Sequence, residues 1–435
     1  MVQRNAQTEI LRLSSMCNRT GVPVLDRPQL IYVLTELVPA AAVSGARLPL
    51  NFALVLDQSG SMAGEKLRTM KEAVKNIIDK LNPDDILSII AFETHLHVLV
   101  PSQPATDKDA LKRQVDRIRD GGGTNMAAGL QEGLNLVRQK QSEGRVSRIV
   151  LLTDGEATDK EDDSRRVAEE AGASGVPIIG LGFGKDWKEE FLLDLADRSV
   201  LAVPGTRSGM VDYIPSPKDV HKIFHEVYQS MHVVAQDVAL TIRMVQGLEA
   251  RRVWQVMPII KDLGREVLQG RAVLIPVGQL EKAGAAYLAE MMLPPRPAGA
   301  VRIAQTEVTY AVQNEGAQRQ SVDLIVNFHT PGASDIAALS ELNGHVMNVV
   351  EKVQAFKLQT QALNEAETGN VGSATQKLRQ AVTILLAQGE TELAQQMQHE
   401  ADSLEQSGQI SSEGKKTIML TSRKTVRLSD EGGET

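Results

Sequence analysis

The sequence predicts an α/β protein built on a doubly wound, mostly parallel sheet, followed by a β-sandwich and a helical region. Between Leu48 and Met231, continuous apolar runs alternate with helix-like stretches, as in a sheet whose two faces are covered by helices. Between Val233 and Thr330, short and partly alternating runs are separated by Gly and Pro, which is typical of antiparallel strands. From Ser334 to about Ser407, apolar residues recur at helical spacing.

The α/β region resolves into individual elements along the chain. The predicted strands are Asn51–Leu56, Ile86–Phe92, Arg148–Thr153 and Pro177–Gly182, with a weaker candidate at Ser199–Val203. The predicted helices are Lys66–Lys80, Asp107–Ile118, Met126–Gln139, Asp162–Ala173, Lys188–Asp197 and Pro217–Met231. Ligands in such sheets bind at the carboxyl ends of the strands, so the loops at that edge are the first place to look for a site.

The segment before this region is predicted to belong to the sandwich. Residues 1–22 show no pattern and are expected to be irregular. The run from Pro28 to Pro39 is rich in Leu, Ile, Val and Tyr and precedes the first strand of the α/β domain. We therefore expect this run to be a strand that the N-terminus lends to the sandwich, which makes the sandwich discontinuous in sequence.

The helical region is predicted to be a hairpin with a break near Gly369–Gly372. Ala355, Leu358, Ala362 and Ala366 define one apolar face. The hairpin either packs on the sandwich or forms a groove for a partner. The complete predicted organisation is a segment 1–46, an α/β domain 47–232, a β-sandwich 233–330, a helical hairpin 331–410 and a flexible basic tail 411–435.

Composition excludes several classes of function. The 435 residues carry a formal net charge of −8 and only 3% aromatic residues, which argues against a nucleic-acid-binding protein. The single Cys17 excludes an internal disulfide framework and a thiolate-rich zinc site. The first twenty or so residues lack a continuous apolar core and a small-residue cleavage site, and no run is long enough to span a bilayer. The simplest interpretation is a cytoplasmic protein.

Oxygen-bearing side chains follow the first predicted strand at alternate positions. In ALVLDQSGSMAG, the apolar run ends at Asp57, and Ser59 and Ser61 come next. GGGTNMAAG supplies Thr124 after a glycine run, and IVLLTDGEAT supplies Asp154 at the end of another predicted strand. Carboxylates and hydroxyls are hard ligands that suit Mg²⁺ or a similar cation and suit zinc poorly.

The Asp-x-Ser-x-Ser motif with a distant Thr and a distant Asp resembles the metal-ion-dependent adhesion site of von Willebrand factor A domains. The resemblance covers roughly Leu48 to Met231. It implies direct metal contacts from Ser59, Ser61 and Thr124, with Asp57 and Asp154 acting directly or through water. A following sandwich is found in proteins related to inter-alpha-trypsin inhibitor heavy chains and in calcium-activated-chloride-channel-like bacterial proteins, and the chain looks like that bacterial group.

A metal held by only two carboxylates stays electrophilic and favours an acidic ligand from outside. We therefore expect a non-enzymatic module that binds a protein partner through an Asp or Glu of that partner. The expected ion is Mg²⁺, with Mn²⁺ or Ca²⁺ as alternatives. A metal-dependent hydrolase is another hypothesis, although no general base accompanies the five ligands.

The tail suggests a third hypothesis. Thr417 and Thr425 each follow a Lys and precede a Leu by three positions. Such threonines suit a serine/threonine kinase, and their phosphorylated forms resemble ligands of forkhead-associated domains. The alternative is a solvated tail, or a terminal strand that pairs with the sandwich.

Overall fold

The computed structural model describes residues 10–40, 48–142, 144–155, 161–200, 209–312, 316–330 and 341–423. These residues form two compact units. The α/β unit comprises the described residues between Ala46 and Val233, and the β/helix unit combines the N-terminal segment with the described residues from Val234 onward.

The N-terminal segment contains three strands. They are β1 (Leu11–Cys17), β2 (Gly21–Pro23) and β3 (Gln29–Pro39). The expectation of irregular structure over residues 1–22 is therefore wrong for β1 and β2. β1 carries two serines in its centre and gives almost no local signal, but it pairs antiparallel with β3 from Leu11 opposite Pro39 to Cys17 opposite Val33. Partner strands, rather than local propensity, define it.

The α/β unit is a six-stranded sheet wrapped by helices. Its strands are β4 (Leu50–Asp57), β5 (Ile86–Phe92), β6 (Leu96–Pro104), β7 (Val146–Thr153), β8 (Ile178–Phe183) and β9 (Met210–Ile214). Its helices are α1 (Glu65–Lys80), α2 (Lys108–Asp116), α3 (Met126–Arg138), α4 (Glu161–Ala173), α5 (Glu189–Arg198) and α6 (Val220–Ser230).

The order of the strands, β6-β5-β4-β7-β8-β9, places β4 between β5 and β7 near the middle of the sheet. β4, β5, β7, β8 and β9 are mutually parallel, and only the edge strand β6 is antiparallel. All residues of β4, β5, β7 and β8 are buried, which explains their continuous apolar sequences. The prediction missed β6, which is largely exposed, and β9; residues 201–203 of the weak strand candidate lie outside the described residues.

Helix α3 approaches the sheet closely through two glycines. A Cβ on Gly129 would lie 2.9 Å from the Phe92 ring, and one on Gly133 would lie 2.8 Å from Val55 Cγ2. The helix begins two residues after Thr124. Its distance from β4 and β5 therefore helps to set the position of Thr124.

The β/helix unit contains a sandwich of two sheets. Its later strands are β10 (Val233–Met244), β11 (Glu249–Met257), β12 (Lys261–Asp262), β13 (Leu268–Gln269), β14 (Ala272–Glu281), β15 (Ala285–Leu293), β16 (Gly299–Val312) and β17 (Gly316–His329). One sheet has the order β1-β3-β15-β11-β12 and the other β13-β14-β10-β16-β17-β2. The lent strand β3 lies between β1 and β15 and pairs with β15 from Gln29 opposite Leu293 to Leu37 opposite Ala285.

The helical region has more members than the predicted hairpin. It comprises α7 (Gly344–Glu367), α8 (Val371–Ala387), α9 (Thr391–Ser407) and α10 (Ser412–Met419). Val346, Val350 and Val353 of α7 pack against Trp254 and Leu288 of the first sheet. The chain turns at Gly369 and again at Gly389, both with positive φ, so the predicted second helix is two helices, α8 and α9. Among the described residues, no helix is both long and apolar enough to cross a membrane.

The flexible tail predicted from residue 411 is folded as far as Arg423. Lys416 is 1% exposed and Thr417 is 6% exposed, and the backbone oxygen of Arg423 accepts a hydrogen bond from Ile260 N at 2.8 Å. A helix of two turns shows too little periodicity to be recognised, and its burial comes from packing against α7 and α9 rather than from a pattern of its own. Thr425 lies outside the described residues.

We expect Gly133→Leu to reduce the free energy of unfolding by about 1–3 kcal/mol, because the added side chain must displace Val55. Thermal unfolding followed by circular dichroism measures the effect. Asn135→Leu adds the same side chain on the exposed face of α3 and should leave the melting temperature nearly unchanged. Equal melting temperatures for the two variants would contradict the close approach of α3 to β4.

We expect Glu400→Ala to open α10. The buried Glu400 carboxylate accepts hydrogen bonds from Ser411 N at 3.0 Å and from Ser411 Oγ at 2.7 Å, so its loss should weaken the attachment of α10 by about 1–3 kcal/mol. Amide hydrogen exchange over residues 412–420 should accelerate. Glu392→Ala removes an exposed carboxylate from the same helix and serves as the control. Unchanged exchange in Glu400→Ala would show that α10 is held by other contacts.

Candidate metal centre

Backbone hydrogen bonds join the loop after β4 to the end of β5 and to the loop between α2 and α3. Gln58 N donates to Phe92 O at 2.9 Å, and Gly121 N donates to Gln58 O at 2.8 Å. Ser59 and Gly121 form an isolated parallel bridge. The loop that contains Thr124 is therefore fastened to the loop that contains the two serines, although about sixty residues separate them.

Asp57 is the buried anchor of the centre. Its side chain is fully buried, and its Oδ1 accepts a hydrogen bond from Ser59 N at 2.8 Å. Its Oδ2 accepts one from Thr153 Oγ1 at 2.7 Å. Burial raises the pKa of the Asp57 carboxyl, and the hydrogen bonds from Ser59 and Thr153 partly offset that effect. One carboxylate thus holds the turn after β4 against the end of β7.

The hydroxyls of the two serines continue this network to the second carboxylate. Ser59 Oγ and Ser61 Oγ are 3.0 Å apart, and Ser61 Oγ donates to Asp154 Oδ1 at 2.7 Å. The Asp154 side chain is fully buried. Gly155 adds no side chain here, and a Cβ at that position would lie 3.9 Å from Ser61 Oγ. Four of the five predicted ligands are therefore linked by direct hydrogen bonds between neighbours.

Thr124 reaches the same edge of the sheet through its loop. It is 5% exposed and comes directly before the N-cap of α3, where the Asn125 side chain accepts from Ala128 N at 3.2 Å. Asn125 N donates to Glu93 O at 2.8 Å, and Gly123 N donates to Thr94 Oγ1 at 2.8 Å. These bonds attach both sides of Thr124 to the end of β5.

The sequence analysis did not identify two residues of the network. Thr153 orients Asp57, and the only signal for it is its position directly before Asp154. Lys66 Nζ donates to Asp154 Oδ2 at 2.5 Å, so each oxygen of that carboxylate has a partner. Lys66 is the second residue of α1, and a lysine at the start of a helix suggests no such contact by itself.

The donor set fits a hard divalent cation. It offers carboxylate and hydroxyl oxygens at one edge of the sheet, and the Lys66 ammonium already lies against Asp154, where positive charge is stabilised. Among the described residues, no group of three or more His, Cys, Asp or Glu side chains could hold a metal ion. A metal centre in this part of the chain therefore depends on the hydroxyls.

Comparison with known sequences identifies two regions. The family model of the von Willebrand factor type A domain matches residues 51–224, and that of the Sll0103-like, C-terminal alpha-helical domain matches residues 344–428. An uncharacterized protein of Synechocystis sp., sll0103, is 33% identical over 222 residues, which are 51% of this chain and 50% of that protein. Inter-alpha-trypsin inhibitor heavy chain H3 of Mus musculus is 34% identical over 161 residues, 34% of this chain and 18% of that protein. The chain thus spans half or less of the length of these curated relatives.

Comparison with solved structures extends the likeness to the whole fold. A von Willebrand factor type A protein from Catenulispora acidiphila superimposes with a TM-score of 0.72 at 20% identity, over 98% of this chain and 99% of that one. The ArnB paralog VWA2 from Sulfolobus acidocaldarius gives a TM-score of 0.53 at 17% identity, over 94% and 98% of the two chains. At these identities the likeness concerns the fold alone. Together with the matching family model and the parallel sheet described above, these findings identify residues 51–224 as a von Willebrand factor type A domain.

Proposed function

We propose that this protein is a metal-dependent protein-interaction module whose metal centre accepts a carboxylate from a partner. The observation that carries the proposal is the hydrogen-bonded series Asp57–Ser59–Ser61–Asp154 at the carboxyl edge of the sheet. Ser59, Ser61 and Thr124 would bind the ion, and Asp57 and Asp154 would support it directly or through water. A bound ion would supply a Lewis-acidic site for an anionic ligand.

The charge of the donor set favours an acidic partner. Only Asp57 and Asp154 are anionic among the five proposed ligands, and Lys66 offsets the charge of Asp154. A divalent ion in such a set keeps net positive charge, so an Asp or Glu side chain from outside is a better ligand than a neutral group. Mg²⁺ suits the all-oxygen set, with Mn²⁺ and Ca²⁺ as alternatives.

The proposed role is binding rather than catalysis. Both carboxylates of the centre accept hydrogen bonds that hold the loops, and both are assigned to supporting the ion, so we propose neither as a general base. No observation favours the hydrolase hypothesis over binding. The cytoplasmic location and the bacterial group suggested by the sequence stay predictions.

Kinase recognition of the tail gains no support from the fold. Thr417 is buried in α10, and a kinase needs an extended, accessible substrate segment. The forkhead-associated partner at Thr425 stays a prediction, because that residue lies outside the described residues.

We expect Mg²⁺ to stabilise the α/β unit. An ion that binds only the folded centre should add about 2.7 kcal/mol to the free energy of unfolding at one hundred times its Kd. Thermal unfolding in Mg²⁺ and in a chelator measures the shift. Ser61→Ala should lose most of this stabilisation, whereas Ser174→Ala, which changes the serine directly after the end of α4, should keep it. Equal melting temperatures of the unaltered protein in Mg²⁺ and chelator would argue against a metal centre.

We expect Asp57→Asn to abolish metal-dependent partner capture while preserving the fold. Asn keeps the shape of Asp57 but removes its negative charge. Affinity purification of the full chain in Mg²⁺ and in chelator, followed by mass spectrometry, compares the retained proteins. The partners expected are those that the unaltered protein retains only in Mg²⁺. Retention of those partners by Asp57→Asn, or in chelator, would count against the proposal.

A further inference from the structure

The Lys66 ammonium is held at the centre by several independent contacts. It donates to Asp154 Oδ2 at 2.5 Å and lies 5.7 Å from the centroid of the Phe183 ring. It also lies beside the backbone of Gly184, where a Cβ would come within 3.6 Å of Nζ. Its side chain is 27% exposed and that of Asp154 is fully buried. This lysine is therefore fixed in place, unlike an ordinary solvated lysine on a helix.

We infer that Lys66 is a tethered counter-cation of the proposed metal centre and that it weakens the affinity of the centre for divalent ions. The inference rests on the proposed function, because it concerns the same site. Lys66 lies against Asp154 and neutralises its charge. An incoming ion must share that carboxylate with an ammonium group that is covalently tied to α1.

Electrostatics gives the sign of the effect. Two unit negative charges attract a divalent cation, and a fixed positive charge in contact with one of them removes much of that attraction. Salt screens a partly buried pair less than a surface pair, so the effect should persist at physiological ionic strength. Lys66 would also preserve the electrophilic character of the bound ion, since its charge reduces the electron donation of Asp154.

The structure also suggests why the lysine does not simply leave the site. Phe183 ends β8, and α1 begins eight residues after β4, so Lys66 is placed by two elements that frame the centre. The ring offers the ammonium a favourable face, and the carboxylate offers a charge-assisted hydrogen bond. We therefore class Lys66 as a positioning residue that acts through Asp154.

The test is the affinity of the full chain for Mn²⁺ alone, measured by the electron paramagnetic resonance signal of free Mn²⁺ during a titration. Lys66→Met keeps the unbranched side chain up to its last heavy atom and removes the charge. We expect this variant to bind Mn²⁺ about tenfold more tightly, which is the size of effect typical of residues that contact metal ligands. Lys66→Arg keeps the charge and should stay within about threefold of the unaltered protein. Lys75→Met removes the same charge from the same helix, where Lys75 pairs with Asp116, and should leave the affinity unchanged.

The outcomes separate this inference from the proposed function. Equal or weaker Mn²⁺ binding by Lys66→Met, with normal binding by the unaltered protein, overturns the role of Lys66 and leaves the metal centre intact. Equal binding by the unaltered protein and Asp57→Asn overturns the centre itself, and the inference with it. If Lys75→Met increased the affinity for Mn²⁺ as much as Lys66→Met, the effect would come from the net charge of the protein. That result would also overturn the inference. Circular dichroism of each variant confirms that the compared proteins are folded.

Discussion

The arrangement of the site depends on the hydrogen bonds of the buried Asp57 carboxylate. It joins the turn after β4 to the end of β7 through Ser59 N and Thr153 Oγ1. A buried carboxylate is stable only with such partners, because removal from water is costly for a charge. The same two hydrogen bonds therefore stabilise the buried negative charge and fix the direction of the chain that carries Ser59 and Ser61 away from the end of β4. The positions of the two serine hydroxyls follow from this junction.

The parallel sheet supplies the remaining constraint. β4 and β7 are neighbours with their carboxyl ends at one edge, so Asp57 and Asp154 converge there without any local sequence relationship. Thr124 lies in the loop between α2 and α3, and hydrogen bonds fasten that loop to the end of β5 and to the loop after β4. Gly129 and Gly133 let α3 approach that sheet, and the Ser59–Gly121 bridge closes the remaining gap between loops. Packing of small residues and backbone pairing together place oxygens that lie about a hundred positions apart in sequence.

In the β/helix unit, the pairing of strands and the burial of helices depend on residues that are distant in sequence. β1 and β3 complete a sheet whose other strands, β15, β11 and β12, follow the α/β unit in sequence, so this sheet forms only after a long stretch of chain has been brought back to its start. α7 then covers the face of that sheet around Trp254 and Leu288, and α10 is held through Glu400.

The sequence by itself determined the elements that carry their own periodicity. The continuous apolar strands, the helices between them and the alternating oxygen-bearing residues after β4 could all be predicted from the sequence. Burial on both faces of a sheet and helical spacing each leave a local pattern of apolar residues. β1 and α10 could not be predicted from the sequence. Their burial comes from contacts with other elements, and their own sequences show no regular alternation of apolar and polar residues. Only the tertiary structure placed Thr153 and Lys66 on the two carboxylates, because a hydrogen bond between residues close in space but far apart in sequence leaves no trace in the spacing of either one.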